Sequence, residues 1–419
     1  MSNLPKDWEL KTLGELVSIL TDYTANGSFA SLKENVTYFN EPNFAALVRT
    51  TDLKKKEFKP ERFTDKRGYE FLKKSALYGG EILMANVGSI GEVYIVPEVD
   101  FPMTLAPNMY LIKYNDNLIN TYAYYFMNSS IFINQLLSKI ASTTLQAVNK
   151  ANFKSIRIPL PPLEEQKKIA DILSTVDKKI AFVEENINAT EELKKGLMQK
   201  LLTEGIGHTE FKDSKLGRIP ESWEIIELGK HIKLMGGYAF KSQDSTEQGV
   251  KWLKIANVGI QEIKWEQNSY LPINFIEDYS KFLLQTNDIV LAMTRPILNN
   301  KLKIAKINDN DLPALLNQRV GKFVFDSKVY SEFMYYLFQH IDFVKILMLK
   351  ILGTDPPNVG SEQIESINIV FPPLEEQKQI AEILSTVDNK LENLKEKKQS
   401  FEELKKGLMQ KLLTGEVRV

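Results

Sequence analysis

Very few residues in this chain could carry covalent or metal chemistry. There is no cysteine, which removes disulfides, thiolate metal sites, iron–sulfur clusters and cysteine nucleophiles together. The three histidines, His208, His231 and His340, stand far apart without ligand spacing, so no histidine-based metal motif forms. Asp355-Pro356-Pro357-Asn358 has the Asp-Pro-Pro opening of a methyl-transfer loop, but asparagine takes the place of the aromatic residue. No glycine-rich methyl-donor segment accompanies it, and the first half of the chain has Thr144-Leu145-Gln146-Ala147 at that point, so the quartet reads as a loop. Asp244 with Glu262 and Lys264 imitates a nuclease acid–acid–lysine set, a spacing that arises freely where 26% of residues are charged. Asn86 to Gly91 (NVGSIG) has two glycines without the strand-to-helix fingerprint of a nucleotide loop. The reading assigns no catalytic and no metal-binding residue.

What remains is binding. Lys and Arg total 53 against 54 acids, so no net field draws the molecule to nucleic acid, and any such contact must come from local patches. Residues 54–74 hold nine cations, Lys54, Lys55, Lys56, Lys59, Arg62, Lys66, Arg67, Lys73 and Lys74, against four acids. Arg295, Lys301, Lys303 and Lys306 fall within twelve residues free of acids, with Lys251 and Lys254 earlier in the same half. Such excess can reach phosphates, although a solvated face explains any one patch equally simply. Asn86 and Ser89, and Thr294 and Arg295, follow two corresponding strands, where a turn could aim them at base edges or phosphates. Structural turn residues would look the same.

The elements that position these residues come in duplicate. Pro161 to Lys167 reads PPLEEQK and returns unchanged 211 residues later at Pro372 to Lys378; residues 161–204 and 372–415 share 30 of 44 positions. Leu4 to Gly14 is echoed by Ile219 to Gly229, matching Trp8 with Trp223, and Gly79 to Ala85 corresponds to Thr286 to Ala292. The chain is two copies of one unit, each a divergent domain followed by a nearly identical tail. The boundaries read as 1–158, 159–205, 206–369 and 370–419.

Each tail opens with proline and glutamate pairs suited to a helix start and closes near Gly205 or Gly415, suited to a left-handed cap. Apolar residues step by four and three through Ile169, Leu173, Val176, Ile180, Val183 and Ile187, followed by Thr190 and, past a break, Leu197 and Leu201; the second tail repeats the seam with Ile380, Leu384, Val387, Leu391 and Leu394, then Phe401, Leu408 and Leu412. That is a coiled-coil seam. Lys194 and Lys405 would fall in it if the register ran straight, so the expected register resets onto Leu193 and Leu404. Gly196 and Gly407, mid-helix, suggest a close backbone approach or a bend, or else simple tolerance. Each helix of about 40 residues spans about 60 Å and needs a partner for its stripe. A homodimeric coil would supply one, but intramolecular antiparallel pairing about a pseudo-twofold axis is favoured.

The divergent domains carry short runs rich in Val, Ile, Tyr and Phe, such as 91–97 and 320–326, with helices expected over 122–140 and 331–352. An α+β class follows. With 419 residues, 43% of them hydrophobic, the chain is globular and has several domains; its start lacks the layout of a secretory signal and no run approaches a membrane span, so it reads as cytoplasmic with no membrane partner.

Two variable domains alternating with two near-identical segments that begin PPLEEQ and end LKKGLMQKLLT, each domain opening Pro-x-x-Trp-Glu, resemble the DNA specificity subunit of type I restriction–modification systems. The resemblance covers essentially the whole chain. It implies two α/β target recognition domains joined by two long helices in an antiparallel coiled coil, reading a split, asymmetric site on double-stranded DNA across a fixed spacer. It further implies docking of two methyltransferase subunits and of restriction subunits, with S-adenosylmethionine, ATP and magnesium used by those partners and no cofactor here. It fixes no reading residues. Trp8 and Trp223 fit domain cores better than methyltransferase contacts. A coiled-coil scaffold without DNA binding is the competing class, and the paired basic patches argue against it.

Overall fold

The computed structural model describes residues 4–55, 57–140, 148–265, 269–351 and 357–419. The chain forms two compact units, one of residues 1–184 with 396–419, the other of residues 185–395. This partition differs from the four consecutive pieces read from the sequence. It cuts both long helices, Leu163–Leu201 and Leu374–Leu412, so that each unit takes the first part of one and the last part of the other.

In the first unit an antiparallel sheet runs in the order Val17–Asp22, Met109–Tyr114, Ile82–Ala85, Val93–Ile95. Beside it lies a mixed sheet of Phe63–Thr64, Ala45–Val48, Met103–Leu105 and Ala76–Leu77, in which Ala45–Val48 and Met103–Leu105 are parallel. Glu9–Thr12 pairs with Arg157–Leu160, which brings the two ends of the domain together immediately before the long helix. The second unit repeats this order. Its main sheet is Ile232–Gly236, Val320–Phe325, Ile289–Ala292, Ile304–Lys306, its smaller sheet joins Tyr270–Leu271, Val250–Leu253 and Ala314–Leu316, and Glu224–Glu227 closes on Asn368–Phe371. Ile82–Ala85 and Ile289–Ala292, aligned from sequence, hold the same place in the two sheets, and all eight residues are buried.

The helix expected over 122–140 is two helices, Asn120–Met127 and Ser130–Ile140, and the one expected over 331–352 is Ser331–Gln339 and Ile341–Lys350. Local polar groups make the breaks. The Ser129 hydroxyl donates to the Phe126 carbonyl, and His340 Nδ1 accepts the Asp342 N–H, each a side chain competing with the helical ladder. Apolar periodicity runs through both junctions and hides them.

Every seam position named above is buried or half-buried. Pairing is antiparallel within each unit: in the first, Asp177 meets Lys405 at 2.6 Å and Glu184 meets Lys398 at 3.1 Å, so numbers rise on one helix as they fall on the other. The expected register reset does not occur. Leu193 and Leu404 are about half exposed, at 50% and 48%, whereas Lys194 and Lys405 stay in the seam. They can do so because each finds a carboxylate there. Lys194 pairs with Asp388 at 2.6 Å, Asp388 also accepts the Tyr336 hydroxyl at 2.9 Å, and Lys405, Asp177 and Tyr125 repeat the arrangement in the first unit. A paired lysine in the seam specifies register where a leucine would only add adhesion.

The heads of the long helices are locked to their domains by buried polar residues. The Trp8 indole N–H donates to Glu165 Oε2 at 3.0 Å, and the Trp223 indole to Glu376 Oε2 at 2.8 Å. The neighbouring glutamines are buried too. Gln166 accepts the Ile119 N–H and donates to the Asn117 and Pro161 carbonyls; Gln377 does the same with Tyr330, Lys328 and Pro372. The tail of the opposite helix arrives at the same point: Arg418 binds both Glu165 and Asp7, while His208 and the Ile206 N–H bind Glu376. Gly205 and Gly415 have φ of +69° and +73°, and a Cβ on Gly205 would fall 2.3 Å from Glu376 and 2.8 Å from Trp223. Glycine is required on both counts.

Gly196 and Gly407 are different. Nothing lies within 4 Å of where a Cβ would be on either, so no close approach explains them. Gly196→Ala and Gly407→Ala should each raise the unfolding free energy by about 1 kcal/mol in urea titrations; a loss would mean that the helices need these glycines. The Arg418 guanidinium holds the Glu165 carboxyl below its ordinary value of 4.5, so the pair contributes stability above that value and loses it as pH falls through the lowered one. Arg418→Gln should therefore destabilise the protein at pH 7, with the difference from wild type shrinking below about pH 4.

Candidate nucleic-acid interface

The main sheet of each unit ends its third strand in a turn, and there the two units diverge. In the first unit Ile82–Ala85 passes through residues 86–91 into Val93–Ile95, a strand-turn-strand connection and so no nucleotide loop. Gly88, three residues past the strand, has φ of +80°. In the second unit Arg295, also three residues past its strand, has φ of +48° without being glycine, a backbone region costly for a side chain with a Cβ. An additional hairpin then rises, Ile297–Leu298 paired with Lys301–Leu302 through Asn299 and Asn300.

The hairpin is pinned at its base. The Arg295 N–H donates to the Pro357 carbonyl at 2.7 Å and the Lys303 N–H to the Pro296 carbonyl at 2.7 Å, while Leu302 is buried in the core and Ile297 packs against it. Arg295, Asn299, Asn300 and Lys301 are exposed, and their side chains have no hydrogen-bond or ion-pair partner among the described residues. Thr294, half-buried, bridges to Asn358 through its backbone.

The other candidates divide sharply. Lys54, after the short helix Thr50–Leu53, reaches Glu92 at 2.7 Å and the Ser89 hydroxyl at 3.3 Å, which ties the basic segment to the 86–91 turn. Burial works against the Glu92 carboxylate, yet Lys54 and the Tyr94 hydroxyl hold its pKa below the ordinary value. Lys55 pairs with Glu61, which Arg49 also binds, and Arg49 clamps the buried Asp52 at 2.7 Å. Arg67 donates to Asn35 at 2.9 Å. Asn86 is half-buried, its backbone bonded to Asn108 and Val148. Lys59, Arg62 and Lys66 are exposed without a side-chain partner among the described residues, and Lys56 lies outside those residues.

In the second unit three of the lysines turn inward. Lys251 donates to the Asn310 carbonyl and lies 5.2 Å from the Trp265 ring; Lys254 stands 3.7 Å over Trp252 and donates to Ser269. Lys303 is half-buried against the Ile255 carbonyl. Burial pushes the ammonium groups of Lys254 and Lys303 below the usual lysine range. Charge counting along the chain could not separate these from Lys301, because only the fold decides which cation meets a ring or a carbonyl. Charge counting passes over the exposed Asn299-Asn300 turn for the opposite reason: it bears no charge, although asparagine is among the residues that adopt the positive φ of a two-residue hairpin turn.

The weak catalytic candidates do not converge. Asp244 caps a short turn, Glu262 pairs with Lys264, and no cluster of three or more His, Asp or Glu able to hold a metal exists among the described residues. Asp355 and Pro356, like Thr144 to Ala147, lie outside the described residues. Among the described residues no helix is long and apolar enough to cross a membrane.

Comparison with known proteins agrees in both sequence and shape. The model of the type I restriction modification DNA specificity domain matches residues 5–192 and again 220–403. The type I restriction enzyme MjaVIII specificity subunit of Methanocaldococcus jannaschii is 35% identical, the alignment covering 99% of this chain and 94% of that one. The putative MjaX specificity subunit of the same organism is 28% identical over 100% and 96%. The crystal structure of the type I restriction–modification S subunit from M. genitalium superposes with a TM-score of 0.59 at 18% identity, covering 99% and 97% of the two chains.

Since φ of +48° strains an arginine, Arg295→Gly should leave the unfolding free energy unchanged or raise it by up to about 1 kcal/mol. Denaturant unfolding checks this, and a marked loss would mean that the arginine stabilises the fold.

Proposed function

Because the chain belongs to the type I restriction–modification DNA specificity family, we propose that it is the non-catalytic, sequence-reading subunit of a restriction–modification complex. Each of its two domains contacts one half of a split, asymmetric site on double-stranded DNA, and the long helices set the spacer. The observation that carries this reading is the contrast at one topological place. Two units with the same order of strands end the same strand in different turns, Gly88 in one and the Arg295 hairpin in the other, and the second presents polar side chains without partners among the described residues. A duplicated frame with dissimilar exposed turns suits reading two different sequences.

The partners in this reading are methyltransferase and restriction subunits, which use S-adenosylmethionine, ATP and magnesium. What supports docking of two like subunits is the pattern of identity between the repeats. Over 192–203 and 403–414 the twelve residues are identical, including Leu193 and Leu404, each about half exposed. In mid-helix the seam itself differs, Val183 against Leu394, Ile187 against Lys398 and Thr190 against Phe401. Two matching surfaces fit two copies of one partner.

Exchanging residues 1–158 for the corresponding domain of a relative with another target should alter one half of the methylated sequence and leave the other half intact, as read by sequencing methylated bases in a host carrying the complete system. An unaltered sequence would end the assignment of that domain as a reader. In binding titrations of the assembled complex, Arg295→Ala should cost about 1–3 kcal/mol for the cognate duplex if the guanidinium pairs with a guanine; contact with phosphate alone would instead lower the salt dependence by about one charge.

A further inference from the structure

We propose that the Asn299–Asn300 tip of the Ile297–Leu302 hairpin enters the major groove and reads A·T base pairs in the half-site of the second domain. This rests on the DNA-reading function proposed above and names where in the domain the reading is done. The tip has the build of a probe. Both asparagines have positive φ, 51° and 58°, which makes a two-residue turn whose twist matches its strands and keeps the ribbon narrow. A two-stranded ribbon of this kind fits the major groove of B-form DNA.

The hairpin is also stiff where it must be and bare where it must be. Leu302 is buried and Ile297 half-buried at its foot, and the Lys303–Pro296 hydrogen bond closes the ladder. Beyond that foot Leu298 is 52% exposed, and Asn299, Asn300 and Lys301 are exposed with no side-chain partner among the described residues. Asparagine in a left-handed turn often bonds back to its own backbone. Neither of these does, so both amides keep a donor and an acceptor side by side. That pair complements N6 and N7 of adenine in the major groove, whereas Lys301 and Arg295, flanking it, complement guanine or phosphate. Lys251, Lys254 and Lys303, in the same unit, are by contrast engaged with rings, a hydroxyl and carbonyls of the chain itself.

The simpler explanation, that asparagine is present only because it tolerates positive φ, makes a different prediction. Glycine tolerates the same backbone, so Asn299→Gly with Asn300→Gly keeps the turn and removes only the amides. In a host carrying the complete system, the doubly substituted chain should methylate sites relaxed at one or two A·T positions of a single half-site, with discrimination there falling about 5- to 150-fold. If the methylated sequence is unchanged while exchange of residues 206–369 rewrites that half-site, the tip is not the reader although the domain is. If neither change alters the sequence, the DNA-reading function itself fails. Should the double variant abolish methylation, the two single variants, each lacking one amide, decide the matter: at least one must relax a base position, and relaxation by neither overturns the proposal.

Discussion

An indole N–H cannot be buried without an acceptor except at a cost of about 1–3 kcal/mol, and a carboxylate cannot be buried without donors at a cost larger still. At the head of each long helix these two needs answer one another. Trp8 and Glu165, or Trp223 and Glu376, are satisfied only when the opening segment of a domain, the first turn of its own helix and the tail of the other helix arrive together. Hydrophobic contacts would tolerate small slips among those three parts. A directional bond to a charged acceptor does not, and the adjoining buried glutamine, with its amide fully bonded, removes the remaining freedom. The junction thereby fixes the opening segment of each domain against the head of its helix.

The duplication, the long helices and the strand at the heart of each sheet were legible in the sequence because each leaves a periodic or repeated trace. The short strand pair that closes each domain was not, since Glu9–Thr12 and Glu224–Glu227 look like any polar-apolar stretch and their partners lie about 150 residues away. Lys194 and Lys405 exposed a limit of seam counting. A lysine at a seam position looks like an error until the opposing Asp388 or Asp177 is known, and that opposition depends on antiparallel register, a property of two helices rather than one. PPLEEQ reads as a helix start with acids for the macrodipole, which accounts for its first glutamate; in the structure the second is the acceptor for a tryptophan and the glutamine a buried clamp.

The candidate interface was legible only in part. Arg295 and Lys301 stood out by charge, and the fold leaves both exposed and without side-chain partners among the described residues. Lys54 and Lys55 stood out equally, yet Glu92 and Glu61 answer them, the first carried in from a turn 38 residues on and the second from within the basic segment itself. A run of like charge records where cations are linked along the chain. Whether they act together depends on the counter-charges the fold carries back to them.

The partition of the chain into units also bears on the order in which they can form. The second unit is one uninterrupted stretch, 185–395, and holds everything its core requires. The first is split, and Leu412 and Leu413 belong to the same apolar cluster as Trp8 and Phe126. On a ribosome adding about 5–20 residues per second, the opening domain waits roughly 10–40 s after residue 184 before its missing helix emerges. The domain made first is therefore completed last, and through that interval its unfinished core is the part of the nascent chain most in need of a chaperone.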